Sequence, residues 1–273
     1  MKKLLFLSIL LIPAFLFLSC EKGGPVNNDN KQENVTPPDN GDDGDNDEDD
    51  PNAFETNMGH PGSGISVISN RVGDMPGGKP WKYEQWSDVG QGGTLTVWEN
   101  GTFKAVWTSV SNYIVRVGYK YDKDAVSYKS KNHVADYNYV KTGGASSSFI
   151  GAYGWTVDPL IEWYIVDDWH SKPSAEVLGQ SKGTYSLDGD TYTVFTQQKT
   201  GMTILGGNTQ TFLQIFCVRA HSRQKGRLNL TSHFAEIEKT GVLLGKLYEV
   251  GLGIDVYSSS GGSIEYNHFN LKE

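Results

Sequence analysis

From Gly93 onward the chain is cut into short runs in which β-branched and aromatic residues alternate with polar ones. The runs read "GTLTVWE", "GTFKAVWTS", "NYIVRVGYKY", "SSSFIGAYGWTV", "LIEWYIVDDW", "GTYSLDGDTYTVFTQQ", "TFLQIFCVRAH" and "YEVGLGIDVYSSS". A period of two places alternate side chains on opposite faces of a strand, and Gly, Asn or Asp breaks separate one strand from the next. "ENG" at 99–101 and "DGD" at 188–190 have the chemistry of tight hairpin turns. One segment, "SHFAEIEKTG" at 232–241, reads as a helix: Ser232 can cap it, Phe234 and Ile237 form a short apolar stripe, and Gly241 can end it. Many strands with one short α-helix imply an all-β sandwich closed against itself.

The strand-rich region occupies residues 56–273, a length that suits one domain. The first twenty residues, "MKKLLFLSILLIPAFLFLSC", are a signal segment: two lysines, an apolar run, then a small residue before Cys20. That ending resembles a bacterial lipobox and implies that Cys20 is lipidated, so that the domain is anchored to a membrane without a spanning helix. Residues 21–55 carry twelve acidic residues against two lysines and almost nothing apolar. Such a segment cannot bury enough surface to fold, and its charges repel one another. It is expected to be a solvated tether. Its "DNGDDGDNDEDD" lacks the spaced glutamate and flanking helices of a calcium loop, and no metal or other cofactor is expected. An acidic, lysine-containing start after Cys20 is compatible with the outer membrane or cell surface. With residues 1–55 set aside, 20 acidic and 20 basic residues remain, so the net charge of −8 belongs to the tether. A neutral domain has no basic face for nucleic acid. Cys217 has no internal partner, and its place in "LQIFCVRAH" suits a small buried hydrophobe. A monomer is the default expectation.

The chain holds 7 Trp and 14 Tyr. Strand alternation sends several of these rings to the face with polar neighbours. Aromatic rings, arginine and carboxylates on one sheet face suit sugar recognition, in which rings stack on pyranose faces and polar groups bind hydroxyls. In "YGWTVDPLIEWYIVDDW", 153–169, Leu160, Glu162, Tyr164 and Val166 share one face, and Ile161, Trp163 and Ile165 the other. A carboxylate among hydrophobes needs partners; a neighbouring arginine that merely satisfies Glu162 is one explanation, chemistry the other.

This stretch resembles the signature of glycoside hydrolase family 11, the β-jelly-roll endo-1,4-β-xylanases, which typically reads Y-G-W-T-x-N-P-L-V-E-Y-Y-I-V-E/D-x-W. The resemblance runs from about 80 to 265 and takes in, in order, "YEQWSDVGQGGTLTV", "GTFKAVWTSVSNYIVRVGYKYD", "QIFCVRAHSRQKGRLNLTSHF" and "LYEVGLGIDVYSSSGG". It implies a β-jelly-roll sandwich curled into an open cleft, with xylan or xylo-oligosaccharide as partner. It also implies roles. Glu162 matches the nucleophile, Tyr153 and Tyr164 contact the sugar at the scissile bond, and Arg219 keeps the nucleophile ionised. Trp86 stacks a distal xylose, Gln214 matches the glutamine of Q-Y-W-S-V-R, and Asn112 bonds the acid/base. The tip of the family's thumb loop, P-S-I-x-G, is here Met202-Thr203-Ile204-Leu205-Gly206-Gly207, with Ile204 at the matching position and no proline to stiffen it. Trp163, Asp158 and Phe216 replace Tyr, Asn and Trp.

The largest departure lies in "GIDVYSSSGG", 253–262. Where the family has E-G-Y-Q-S-S-G, this chain has Asp255-Val256-Tyr257-Ser258, so Asp255 holds the acid/base position with one methylene fewer. Glu249 shares its face but lies six residues away, about 20 Å at strand rise, and does not replace it. Glu265 is farther. The shorter side chain withdraws its carboxyl by about 1 Å, and a misplacement of that size can cost about 10²-fold. Gly251 and Gly253 either let a sugar approach the backbone or mark a bulge. Two readings follow: a cell-surface, retaining endo-1,4-β-xylanase with Glu162 and Asp255 as its catalytic pair, or a xylan-binding surface lipoprotein on the same scaffold with weak or no hydrolysis. An intact aromatic cleft argues against a purely structural surface protein.

Overall fold

Val97 and Phe103 flank the turn that "ENG" predicted: Trp98 N–H bonds the Thr102 carbonyl, Gly101 N–H bonds that of Trp98, and Gly101 takes φ 99°. At "DGD", Asp188 and Gly189 take φ 49° and 77°, the pair of positive angles that a two-residue hairpin turn requires. The computed structural model describes residues 59–273. Cys20, the signal segment 1–20 and the tether 21–55 lie outside the described residues.

Fifteen strands of the described residues form two sheets. In chain order they are β1 Ile65–Val67, β2 Arg71–Asp74, β3 Lys82–Ser87, β4 Gly93–Val97, β5 Phe103–Trp107, β6 Val110–Lys120, β7 Val134–Gly144 and β8 Ser147–Val157. They continue with β9 Ile161–Asp168, β10 Gln180–Leu187, β11 Asp190–Gly201, β12 Gln210–Arg219, β13 Lys225–Asn229, β14 Lys246–Ser259 and β15 Gly261–Lys272. One sheet runs β1-β4-β5-β15-β7-β13 and the other β10-β11-β12-β9-β8-β14-β6-β3-β2. All pairs are antiparallel except β12 with β9.

The nine-stranded sheet buries both faces. Its inner side chains, among them Ile161, Trp163 and Ile165 of β9, join a core shared with the six-stranded sheet. Its outer side chains form a second cluster that includes Phe149, Tyr153, Trp155, Tyr164, Phe212 and Phe216. The alternation read along 160–166 is therefore the one observed. Trp163, which replaces a Tyr, is a packing change: it is fully buried and meets Phe234 edge-on with ring centroids 4.8 Å apart. Fully burying a side chain of this kind stabilises by about 1.5–3 kcal/mol. Cys217 is in the inner core, where burial pushes its thiol up to about 12.

Phe234 belongs to helix α2, Leu230–Lys239, which follows a single helical turn, α1, at Ala175–Leu178. The expected cap at Ser232 is corrected. Asn229 caps α2 by accepting a 3.1 Å bond from Ser232 N–H, because an Asx oxygen reaches the third helical residue from one position before the helix. Gly241, at φ 88°, ends the helix as expected. The motif's Asp167 and Asp168 are buried between the sheets. Asp167 accepts from Tyr137 OH, from Tyr192 OH at 2.6 Å and from Arg223 Nε at 2.8 Å, which compensates its desolvation. Asp158, which replaces an Asn, is at φ 55° before a cis bond to Pro159; Asn and Asp both tolerate that angle.

Candidate active site

β9 and β14 lie on either side of β8 in the nine-stranded sheet, and each turns one carboxylate to its outer face. Glu162 is 8 % exposed and accepts three side-chain hydrogen bonds. Tyr153 OH and Tyr164 OH donate to its Oε1 at 2.8 and 3.1 Å, and Gln214 Nε2 donates to Oε2 at 2.5 Å. The parallel pairing of β12 with β9 brings Gln214 beside Glu162 in register. Three donors aimed at one carboxylate compensate its burial.

Asp255 is 3 % exposed. Asn112 Nδ2 donates to its Oδ1 at 2.7 Å, and Tyr257 OH reaches Oδ2 at 3.0 Å. Burial, reinforced by the charge of Glu162, raises its carboxyl to about 6, although Asn112, Tyr257 and Tyr164 partly offset the rise. Tyr164 OH lies 3.1 Å from both Glu162 Oε1 and Asp255 Oδ2. Two such contacts through one oxygen hold these two oxygens no more than 6.2 Å apart, twice 3.1 Å. The bridging phenol has a single proton. It donates that proton to one oxygen at a time, Glu162 Oε1 or Asp255 Oδ2, so the phenol couples two carboxyl groups held side by side.

The remaining expected residues sit as follows. Trp86 is on the outer face of β3, in register with Ile114, which is itself paired to Asp255. It is 38 % exposed, so its ring is free to meet a ligand. Ile204 is half-buried in the loop between β11 and β12 and packs against the outer cluster. That loop is closed without proline, by Gly206 N–H to the Thr203 carbonyl at 3.0 Å and Gln210 Nε2 to Thr203 Oγ1 at 3.1 Å. Phe216, which replaces a Trp, stacks on Tyr164 at 4.9 Å.

Arg219 is a correction. It lies five residues along β12 from Gln214, and odd spacing turns it to the opposite face of the strand. Its Nε bonds Asp190 at 3.2 Å and the His221 carbonyl at 3.0 Å, and its guanidinium stands over Tyr192, away from Glu162. Gly251 and Gly253 are a second correction. A Cβ on Gly253 would lie 1.8 Å from the Val115 carbonyl oxygen and one on Gly251 2.8 Å from that of Val117. These glycines admit strand β6 rather than a sugar. Pairing to β6 is unbroken there, and the bulge in β14 falls at Leu247/Glu249, against β8.

Three site residues went unread in the sequence. Tyr257 touches Asp255 from two positions along the same face. Gln197 donates to the Gln214 side-chain oxygen at 2.9 Å, which fixes the orientation of that amide. Arg116 shares a strand face with Asn112, four residues away, and its guanidinium covers the Tyr153 ring at 4.7 Å. Equal parity with an identified residue is the signal that finds Tyr257 and Arg116. Beside Asp255 the outer face has a recess of about 250 Å³ lined by Phe149, Phe216, Tyr257, Gln197 and Lys199 among others.

The fold and this site define a two-sheet β-protein with two buried carboxyl groups side by side on the outer face of one sheet, among tyrosine and phenylalanine rings. The family model Glycosyl hydrolases family 11 matches residues 79–265. Endo-1,4-beta-xylanase C of Fibrobacter succinogenes is 37% identical over 220 residues, 79% of this chain and 36% of that protein. Endo-1,4-beta-xylanase S20 of Neocallimastix patriciarum is 40% identical over 213 residues, 76% of this chain and 62% of that one. The chain thus spans between about one third and two thirds of these relatives' length. The crystal structure of the wild-type ENZbleach xylanase superposes with a TM-score of 0.72 at 27% identity, over 82% of this chain and 93% of that chain. The chain belongs to glycosyl hydrolases family 11, and its fold is the β-jelly roll.

Proposed function

We propose that this protein is a cell-surface endo-1,4-β-xylanase that cleaves internal bonds of xylan with retention of configuration. Glu162 attacks the anomeric carbon and forms a glycosyl-enzyme. Asp255 protonates the leaving oxygen and then, as base, activates the water that releases the sugar. The observation that carries this reading is the Tyr164 bridge. The bridge keeps one oxygen pair, Glu162 Oε1 and Asp255 Oδ2, within 6.2 Å, which accommodates the roughly 5–5.5 Å carboxyl separation of retaining glycosidases. Tyr153 and Gln214 hold the nucleophile, Asn112 and Tyr257 hold the acid, and Trp86 offers a stacking platform for a xylose farther along the trough.

One observation supports the second reading, a xylan-binding lipoprotein with weak hydrolysis. Asp255 is one methylene short, and three side chains engage its two oxygens from the wall of the site. Release of reducing ends from xylan by the full chain, beside Glu162→Gln and Asp255→Glu, separates the two. The hydrolase reading expects a turnover in the parent that Glu162→Gln abolishes and Asp255→Glu keeps or raises. Binding without turnover in the parent, with activity only in Asp255→Glu, supports the binder. The anchor is proposed from the sequence around Cys20: Cys20→Ser should move the protein from the membrane fraction to the soluble fraction, and an unchanged distribution removes the lipid from the account.

A further inference from the structure

Arg116 is the charged side chain that the retaining mechanism leaves without a task. It is 8 % exposed, on the outer face of β6, and two carboxylates from neighbouring strands hold it. From β3, Glu84 Oε2 accepts from its Nη2 at 2.8 Å and from its Nε at 3.1 Å. From β14, Glu249 Oε1 lies 2.8 Å from its Nε. From β8, Tyr153 presents its ring, with the guanidinium carbon 4.7 Å from the ring centroid. The other end of Tyr153 is equally constrained. Trp155 Nε1 donates to its hydroxyl oxygen at 2.5 Å, and that hydroxyl donates to Glu162 Oε1 at 2.8 Å.

We propose that Arg116 is a positioning residue for glycosylation, acting on Glu162 through Tyr153. The inference rests on Glu162 being the nucleophile. Two effects combine. The guanidinium, pinned by Glu84 and Glu249, fixes the plane of the Tyr153 ring and hence the place of its hydroxyl. A positive charge over the ring also draws electron density from the phenol, which strengthens the bond donated to Glu162. The direction agrees with Arg116 being the leading influence that favours the ionised form of Tyr153, against burial and the charge of Glu162. The titratable groups facing this assembly are Glu84 from β3, Glu249 from β14, Tyr153 from β8, Tyr164 of β9 and Asp255 of β14. The resemblance had led to Arg219 for the cation that supports the nucleophile; the geometry assigns the task to Arg116, at one remove.

The test uses an aryl β-xylobioside with a good leaving group, whose departure needs little proton donation, so that kcat/KM, which covers the steps through glycosylation, reports the nucleophile. In the full chain, Arg116→Met should lower kcat/KM by about tenfold or more. Arg116→Lys, which keeps a cation near the ring but loses the guanidinium's clamp between Glu84 and Glu249, should recover part of the lost kcat/KM. Removing Arg116 alone leaves Glu84 and Glu249 facing each other, so Arg116→Met/Glu249→Gln, which keeps the local net charge, gives the same reading if the single variant does not fold. Thermal melts report folding for each. An active parent whose kcat/KM is unchanged in Arg116→Met or in the double variant overturns the inference alone, as does a Lys variant as slow as Met. A parent inactive on both xylan and the aryl glycoside overturns the catalytic reading beneath it.

Discussion

Asp255→Asn is expected to abolish xylan cleavage and to make the protein more stable, by an amount that depends on pH. Burial first, and then the charge of Glu162, raise the Asp255 carboxyl from 3.8 to about 6 in the folded state. Below pH 3.8 the group is protonated in both folded and unfolded chains and contributes nothing. Between 3.8 and about 6 the unfolded chain releases the proton and the folded chain keeps it, so a penalty grows with pH. Above about 6 the penalty is complete; a gap of a little over two units at ~1.4 kcal/mol each is about 3 kcal/mol. An amide removes the ionisation without orphaning its neighbours. Its oxygen accepts from Asn112, and its NH₂ faces the hydroxyl oxygens of Tyr164 and Tyr257. For a domain of this size about 2–4 °C accompanies each kcal/mol, so calorimetry should show a Tm gain of about 6–12 °C at pH 8 and almost none at pH 4. A gain of equal size at both pH values, or a loss at pH 8, refutes the reasoning. The sign matters for function: the enzyme would be keeping a destabilising acid because the chemistry needs its proton.

Three further outcomes are expected. The same carboxyl sets the upper pH limit of catalysis: kcat/KM on xylan should fall as pH rises through about 6, and a fall beginning two units higher would remove Asp255 as the acid. Trp86→Ala should raise KM for xylan roughly two- to twelvefold through loss of about 0.5–1.5 kcal/mol of ring contact, measured by initial rates; an unchanged KM would place the exposed ring outside the substrate path. Asp167→Ala removes the shared acceptor of Tyr137, Tyr192 and Arg223 and leaves a cation between the sheets, so denaturant titration should show a loss of about 3–5 kcal/mol, while a loss below about 1 kcal/mol would make that network dispensable.

The strands were readable because β-branched and aromatic runs broken by Gly, Asn or Asp mark strands, and a period of two assigns alternate side chains to opposite faces. The split of Glu162 and Tyr164 from Trp163 and Ile165 needed nothing else. Hairpins at 99–101 and 188–190 were readable for the same local reason, since their turn angles favour Gly, Asn and Asp. What the sequence withheld depends on neighbours across the sheet. Ser232 and Asn229 are both acceptable caps, and only the position of the first helical residue chooses between them. Gly251 and Gly253 read as room for a sugar or as a bulge, yet the Val115 and Val117 carbonyls occupy the space a Cβ would need. Arg219 was carried over with a motif, but its strand parity turns it toward Asp190 and Tyr192. Arg116 had no motif to mark it. Its importance comes from three elements that meet only when β3, β8 and β14 assemble around β6.

The most direct measurement is a trapping experiment with a 2-deoxy-2-fluoro-β-xylobioside bearing an activated leaving group, followed by mass spectrometry of the digested protein. The account predicts one covalent xylobiosyl adduct, on the peptide containing Glu162, and its loss in Glu162→Gln. A parent protein that cleaves xylan yet forms no adduct, or that releases product of inverted anomeric configuration, would contradict the pairing of Glu162 with Asp255 as nucleophile and acid.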